Sequence, residues 1–347
     1  MKRHFIILAV IIFYSCEKFF MEDPTENNHI NNFDLLWQVI DEKYSFFTYK
    51  NINWDSIYNV YRPKVNNDLS VQEFFDVMAG MLNELRDGHV NLYSNFAHSA
   101  NFDWHLGHRA NFNLENIHNN YLVSNFFSAG PFLVSEIDSV GYVYIPSFAD
   151  EFRESDLDSV VEHLYGLKGI IFDVRNNSGG LNRTGRLIAG RFADSVRLVS
   201  YTLYKTGPGH DDFSKPQPNY IGPHGKKRFL KPVVVLSNRR SYSATNDFVM
   251  NMAAFPHVTV IGDQTGGGGG TPYDYELLNG WRCRFPRTMT LAANGFNIEH
   301  GINPDIRVNI SRTDELRGID TIIEAALVFL SSRSLKTHIQ SENLQDY

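Results

Sequence analysis

The spacing of apolar residues predicts helices in the first quarter of the chain. Between residues 33 and 85, apolar side chains recur every three or four positions, as in amphipathic helices. Ser70, followed three residues later by Glu73, predicts a helix start with a capping box. Short β-like runs follow at residues 90–93 and 121–127. We therefore expect a small helical subdomain and then a β-rich connection.

From residue 141 onward, short runs of Val, Ile and aromatic residues alternate with stretches of helical spacing. The predicted strands are GYVYIP, GIIFDV, VVVLSN and VTVIG, and the predicted helices cover residues 155–165, 184–192 and 243–254. This alternation predicts an α/β fold, in which helices flank a largely parallel, twisted sheet. In such sheets, functional sites lie at the carboxyl ends of the strands.

These patterns divide the chain into six predicted segments. Residues 1–16 are a signal peptide, 17–32 a flexible tether, and 33–92 an N-terminal helical subdomain that carries His89. Residues 93–140 are the β-rich connection, 141–335 the main α/β core, and 336–347 a C-terminal tail.

The first residues predict export. Lys2 and Arg3 precede an apolar run that is too short to span a bilayer and is typical of a signal peptide. The run ends in Phe-Tyr-Ser-Cys, which resembles the cleavage box of bacterial lipoproteins. That resemblance implies a lipid anchor on Cys16 and a place in the bacterial periplasm or at the outer membrane. A plain signal peptide with an incidental Cys16 is the alternative.

Composition and charge exclude several other classes of protein. With 43% hydrophobic and 20% charged residues, the 347-residue chain is typical of a globular protein rather than a disordered one. The net charge is -7, and the sequence has no long run of Lys or Arg. Nucleic acid is therefore not an expected partner.

Ser243 is the first candidate for chemistry. It lies between a predicted strand and a predicted helix, where free backbone N–H groups and the helix dipole suit a developing oxyanion. The alternative is an ordinary helix N-cap, a common role of serine, and the Gly-x-Ser-x-Gly nucleophile motif is absent.

Three other stretches carry candidate residues. The pair Gly179-Gly180 follows a buried strand and would let a substrate carbonyl approach the main chain, or would serve as a simple turn next to an Asp173–Arg175 ion pair. His89 follows Asp-Gly on a turn and is a candidate general base among 13 histidines. Glu299 is either an acid that orients such a base or an ordinary surface residue.

Taken together, these stretches resemble the C-terminal processing (tail-specific) serine peptidases, and more closely their tricorn-core-like branch. The resemblance runs from Asp87-Gly88-His89 through GYVYIPSF, GIIFDVRNNSGG, VVVLSNRRSYSATNDF and VIGDQTGGGGG to IEHGINPDI. It implies a ClpP/crotonase-like core. The stretch between His89 and Gly141 is too short for the PDZ domain that many relatives insert there.

The resemblance also implies roles. Ser243 would be the nucleophile, His89 the general base and Glu299 the orienting acid. The oxyanion hole would be formed by the N–H of Ala244 together with Gly179 or Gly180. The processing branch uses a Lys as base, but residues 265–269 here are Thr-Gly-Gly-Gly-Gly, which excludes a Ser-Lys dyad.

Two positions depart from the pattern. Gly88 stands where tricorn has a Ser that links the His to the Glu, and Asn246 stands where an acid is usual.

The implied activity is hydrolysis of peptide bonds in peptides or unfolded proteins through an acyl-enzyme, with no metal and no organic cofactor. Gly88 and the missing Lys favour an alternative from another class, a non-catalytic binding protein on the same fold with a degraded site. A second alternative keeps the enzyme but changes the substrate to an ester or a cell-wall peptide.

The anchor can be tested in cells. We expect Cys16→Ala to move the protein from the membrane fraction to the soluble periplasmic fraction, because the variant has no thiol to carry a lipid. Ser15→Ala is the control, since it keeps a small residue before the Cys and should stay with the membrane. A Cys16→Ala protein that sediments with membranes would show that the anchor is wrong.

Overall fold

A computed structural model describes residues 26–100 and 103–342. The predicted signal peptide, Cys16, the first part of the tether and the last residues of the tail lie outside this range. Every helix in the two described ranges is too short or too polar to cross a lipid bilayer.

The elements alternate between helices and strands over most of the chain. The helices are α1 (His29–Lys43), α2 (Phe47–Lys50), α3 (Trp54–Tyr61), α4 (Val71–Asn83), α5 (Leu114–Asn120), α6 (Glu154–Leu164), α7 (Asn182–Gly190), α8 (Ala244–Ala253), α9 (Arg312–Glu315) and α10 (Thr321–Glu342), with short 3-10 helices at Arg62–Lys64 and Ile298–His300. The strands are β1 (Asn91–Tyr93), β2 (His98–Ala100), β3 (Phe127–Ala129), β4 (Phe132–Ile137), β5 (Val140–Tyr144), β6 (Gly169–Asp173), β7 (Arg197–Tyr204), β8 (Gln217–Ile221), β9 (Val233–Ser237), β10 (Val258–Gly262), β11 (Pro272–Glu276), β12 (Arg282–Pro286), β13 (Thr288–Ala292) and β14 (Ile306–Arg307).

The central sheet has seven strands in the order β14-β10-β9-β6-β5-β4-β3. The strands from β14 to β5 are parallel, and β4 and β3 add an antiparallel edge. The four strands predicted from the sequence correspond to β5, β6, β9 and β10, and every residue of these strands is buried. The predicted α/β fold with a largely parallel sheet is confirmed.

Helices cover both faces of the sheet because the side chains of each strand alternate. Val233 and Val235 of β9 share one apolar cluster with α6, α7 and α8. Val234 and Leu236 share another cluster with α5 and α10. This sandwich positions the start of α8, and therefore Ser243, at the carboxyl end of β9.

The N-terminal helices form around their own apolar cluster, as their spacing predicts. Helix α4 begins with the expected capping box, in which the Ser70 hydroxyl accepts from the Glu73 N–H at 3.3 Å and the Glu73 carboxylate accepts from the Ser70 N–H at 2.9 Å. The same cluster includes Cys283 and Phe285 of β12, which come from the other end of the chain. Through this shared core, the helical segment packs against a four-stranded antiparallel sheet with the order β11-β12-β1-β2.

One strand prediction is wrong. Residues 121–127 do not form a strand, because α5 ends immediately before Tyr121 and only Phe127 belongs to β3. The side chains of Tyr121 and Leu122 are buried in the cluster beneath α10. This burial, rather than strand pairing, explains the β-like composition of the segment. The connection at residues 93–140 therefore contains a helix as well as short strands.

The Asp173–Arg175 pair expected as one alternative is a buried structural ion pair. Arg175 Nη2 lies 2.6 Å from Asp173 Oδ2, and its Nη1 lies 3.0 Å from Asp320 Oδ2 just before α10. Tyr142 also donates to Asp173 at 2.7 Å. One guanidinium thus joins the sheet to the C-terminal helix in a place where all its donors and both carboxylates are desolvated.

Candidate active site

Ser243 occupies a strained turn between β9 and α8. Its backbone has φ = 57° and ψ = -124°, a region that costs a non-glycine residue about 1–3 kcal/mol. The turn is held by the Ser243 N–H, which donates to the carbonyl of Gly267 at 2.9 Å. The Ser243 side chain makes no capping hydrogen bond to α8. The hydroxyl is therefore not used as a helix cap and points elsewhere.

His89 lies next to that hydroxyl. Its Nε2 is 2.9 Å from Ser243 Oγ, although the two residues are 154 positions apart in sequence. The turn that carries His89 is fixed by Asp87, whose Oδ1 accepts from the His89 N–H at 2.8 Å. Burial lowers the pKa of His89 to about 4, against an opposing effect of the Asp87 carboxylate. The imidazole is therefore neutral near pH 7, the form that can accept a proton from serine.

Glu299 does not contact His89 in the structure. Its carboxylate lies 2.8 Å from Lys50 Nζ and also accepts from the Gly269 N–H at 2.8 Å. Burial raises the pKa of Glu299 to about 7, although Lys50 opposes this shift. The resemblance implies a hydroxyl that links Glu299 to His89, but among the described residues it is the ammonium of Lys50 that lies beside the Glu299 carboxylate.

Lys50 and Tyr44 are site residues that the sequence did not identify. Lys50 Nζ lies 3.0 Å from Asp87 Oδ2, so the ammonium bridges Asp87 and Glu299. Tyr44 donates to the same Asp87 oxygen at 2.7 Å. Burial alone would lower the pKa of Lys50, but the two carboxylates raise it overall. This lysine is therefore protonated and cannot serve as a general base.

One sequence signal could have pointed to Lys50. It ends the aromatic-rich stretch Tyr-Ser-Phe-Phe-Thr-Tyr-Lys, where a lone cation among residues that become core needs a buried carboxylate partner.

Two of the three backbone N–H groups expected to form an oxyanion hole have no partner in the described residues. The N–H of Gly179 is not one of them, because it donates to Asn177 Oδ1 at 3.0 Å. Within residues 26–100 and 103–342, the N–H groups of Gly180 and Ala244 have no hydrogen-bond partner. Gly179 instead allows close approach, since a Cβ there would lie 2.9 Å from the Cβ of Ser243. Unpaired N–H groups of this kind are what an oxyanion hole requires.

A stack of two aromatic rings explains Gly88. Trp104 lies on Tyr242 with ring centroids 3.7 Å apart, and its indole N–H donates to the Arg239 carbonyl at 2.9 Å. A Cβ at position 88 would lie 2.5 Å from the Trp104 ring. A Cβ at Gly268, within the glycine run that lacks a Lys, would lie 2.6 Å from the Tyr242 ring. Both glycines are required by the space that the stack occupies.

Asn246, the second departure from the family pattern, connects α8 to the segment that carries Glu299. Its Nδ2 donates to the carbonyl of Ile298 at 3.0 Å, and its Oδ1 accepts from Thr265 Oγ1 at 2.6 Å. The same Thr265 oxygen accepts from the Ile302 N–H at 2.6 Å. A carboxylate at position 246 has no proton to give to Ile298 when it is ionised, so the amide fits this contact better.

Comparisons with known proteins relate the chain to a family of peptidases. Residues 139–308 match the model of peptidase family S41, and residues 25–83 match that of the Tricorn protease C1 domain. A solved structure described as a "putative peptidase" from Parabacteroides merdae is 44% identical, with a TM-score of 0.83 over 88% of this chain and 97% of that one.

Two further relatives are more distant. The carboxy-terminal processing protease CtpA of Bacillus subtilis is 25% identical over 60% of this chain and 46% of its own length. The crystal structure of the tricorn protease is 16% identical, with a TM-score of 0.56 over 88% of this chain and 37% of that one, which shows a shared fold alone. The chain spans about half or less of the length of the curated relatives it matches.

The steric role of Gly88 can be tested by adding one methyl group. We expect Gly88→Ala to lower the free energy of unfolding by about 1–3 kcal/mol, because the new Cβ must displace Trp104 from Tyr242. Urea unfolding measures the difference. Gly166→Ala is the matched control, since a Cβ there meets no atom within 4 Å, and it should be close to neutral. Equal stability of the two variants would contradict the steric explanation.

Proposed function

Because the chain belongs to peptidase family S41, the family its motifs predicted, we propose that it is a serine peptidase with Ser243 as nucleophile. The observation that carries this proposal is the 2.9 Å contact between His89 Nε2 and Ser243 Oγ. The strained Ser243 backbone supports it, since strain of this kind is typical of functional sites.

The proposed reaction uses one base and two donors. Neutral His89 removes the Ser243 proton as Oγ attacks the carbonyl carbon of a peptide bond. The N–H groups of Gly180 and Ala244 donate to the resulting oxyanion. Gly179, the third residue expected from the sequence, is left out because its N–H already donates to Asn177. His89 then protonates the leaving amine, and water repeats the cycle on the acyl-enzyme.

Glu299 is proposed to act through Lys50 rather than directly on His89. Lys50 keeps Asp87 ionised: burial would raise the pKa of Asp87, but Lys50 and His89 hold it below its usual value. Above pH 7, where Glu299 is ionised as well, the two carboxylates outnumber the single ammonium. The resulting negative charge favours the imidazolium that forms when His89 takes the serine proton. In this scheme Lys50 and Glu299 are positioning residues.

The setting proposed for this activity is the cell envelope. The N-terminal pattern supports export and a lipid anchor at Cys16, and the family supports peptides or unfolded proteins as substrates. The curated relative from Bacillus subtilis is named as a carboxy-terminal processing protease, which makes chain ends a reasonable first class of substrate to test here.

Covalent labelling tests the proposed nucleophile and base. A fluorophosphonate probe should label the wild-type protein on Ser243 and should not label Ser243→Ala. His89→Ala should slow labelling by about 100-fold or more, because the hydroxyl loses its base. His118→Ala is the control, since this histidine is exposed on α5 and far along the chain from both residues. A folded wild-type protein that is not labelled would favour the non-catalytic binding protein.

Burial of His89 should set the pH range of the reaction, and the charge on Lys50 should shift it. With the pKa of His89 at about 4, the labelling rate should be constant near neutral pH and fall only as pH approaches 4, where the imidazole becomes protonated. Lys50 lowers the pKa of His89, so Lys50→Met should move this fall to higher pH, while Lys50→Arg should leave it in place. An unchanged profile in a folded Lys50→Met variant would contradict the coupling.

A further inference from the structure

A cavity of about 450 Å³ lies next to the first residues of the described chain, between the starts of two helices. Asn28, the N-cap of α1, lines it from one side, and Val71, the first residue of α4, lines it from another. Asn279 and Trp281, in the turn between β11 and β12, complete the wall. No residue proposed for catalysis lines this α1/α4 cavity, so it is separate from the candidate active site.

Trp281 is the one tryptophan of four whose indole N–H has no hydrogen-bond partner in the described part of the chain. The indoles of Trp37 and Trp54 donate to each other's carbonyls at 3.3 and 3.0 Å, and Trp104 donates to the Arg239 carbonyl at 2.9 Å. Trp281 is only 7% exposed, and it lines the cavity. A tryptophan buried to this extent normally finds an acceptor. A ligand in the cavity would supply one.

Four asparagine side chains add further donors to the same wall. Asn27 Oδ1 accepts from Asn32 Nδ2 at 2.8 Å, and the amide oxygens of three others accept from backbone N–H groups at 2.9, 3.3 and 3.0 Å, namely those of Asn28, Asn67 and Asn279. The NH₂ groups of these four amides have no partner within residues 26–100 and 103–342. Asn27 and Asn67 are exposed and the other two are half-buried, so a ligand can reach them.

Apolar surface lies beside these donors. Val71 is 53% exposed, and the half-buried ring of His29 lines the cavity next to it. The His29 ring is held in place because it stacks on Phe74 with centroids 4.3 Å apart, and Phe74 stacks in turn on Trp281 at 5.4 Å. Apolar surface with a few convergent polar groups is typical of sites for small ligands.

The charges around the cavity disfavour an anion. Among the described residues that line it there is no Lys or Arg. The start of α4 already has a carboxylate, since Glu73 accepts from the Ser70 N–H at 2.9 Å, and Asp68 is exposed on the loop just before it. A further negative charge would be repelled by these carboxylates, although free donors are abundant. A neutral ligand that is rich in oxygen fits the wall better.

We propose that the α1/α4 cavity binds a neutral saccharide. Each hydroxyl oxygen of a sugar can accept from the amide and indole donors while its own proton turns to water, whereas a peptide would add N–H groups to a wall that already has unpaired donors. The C–H groups of the sugar ring would pack on Val71 and His29. The site would attach the protein to glycans in its surroundings, independently of the chemistry at Ser243.

The four indole N–H signals in the NMR spectrum of the ¹⁵N-labelled protein test this site directly. Triacetylchitotriose, cellotriose and maltotriose are suitable neutral probes. We expect at least one of them to shift the Trp281 signal saturably and to leave the other three in place, because those indoles are already bonded to carbonyls. Acetate and inorganic phosphate at the same concentration should not shift it. Trp281→Phe identifies the signal by removing it.

Two matched variants test the amide donors. Asn67→Asp keeps the oxygen that accepts from the Ile30 N–H but replaces the free NH₂ by a second oxygen, so it should weaken saccharide binding by about tenfold or more. Asn294→Asp is the control: Asn294 is exposed, lies outside the cavity, and has an amide oxygen that accepts from the Phe296 N–H at 3.0 Å. It should bind like the wild type. Unchanged signals of the other three indoles show that each variant is folded.

The possible outcomes decide the proposal. A Trp281 signal that none of the three saccharides shifts would overturn it, and so would a saccharide shift that Asn67→Asp leaves as strong as in the wild type. Acetate or phosphate that binds as tightly as the saccharides would show an anion site instead. Fluorophosphonate labelling of Ser243 depends on none of these results, so the saccharide site and the proposed peptidase activity stand or fall separately.

Discussion

The buried ammonium of Lys50 is the interaction on which the geometry of the site depends. It lies between Asp87, on the turn that carries His89, and Glu299, on the segment that holds the glycine run. Two carboxylates this close together in a dry environment would repel each other, and one of them would take up a proton. The single positive charge lets the N-terminal helices and the C-terminal part of the core meet with both acids in place. His89 is brought to Ser243 as a consequence of that contact, because Asp87 fixes the His89 backbone.

The sequence predicted the parts of the molecule that depend on local pattern. The buried strands and their connecting helices follow from short apolar runs and helical spacing, and the start of α4 follows from Ser70 and Glu73. The small sheets β13-β7-β8 and β11-β12-β1-β2 were not predicted, because their strands are partly exposed and their partners are distant along the chain. Residues 121–127 were misread for the converse reason, since burial under α10 rather than strand pairing explains their apolar composition.

For the site, the sequence pointed to residues but not to all of their contacts. Ser243 and His89 were identified through a family resemblance, and their proximity depends on a contact across 154 positions that no local pattern encodes. Glu299 was identified in the same way, but its partner could not be, because Lys50 lies in a segment whose other residues are typical of a core. A motif comparison shows only that Gly88 lacks the side chain found in tricorn. It does not show that the Trp104 ring, from another part of the chain, fills the space next to Gly88.

The departures from the family pattern are better explained as one connected arrangement than as separate signs of decay. Gly88 and Gly268 both make room for the stack of Trp104 on Tyr242, which packs against the His89 ring at 4.9 Å. Asn246 replaces an acid at a position where an amide proton is needed to hold the Glu299 segment. A site that had lost its function would have no reason to keep Ser243 in a costly backbone conformation or to pair every buried charge around His89. Strain and buried charge both lower stability, so their presence around one hydroxyl group favours a functional role for Ser243.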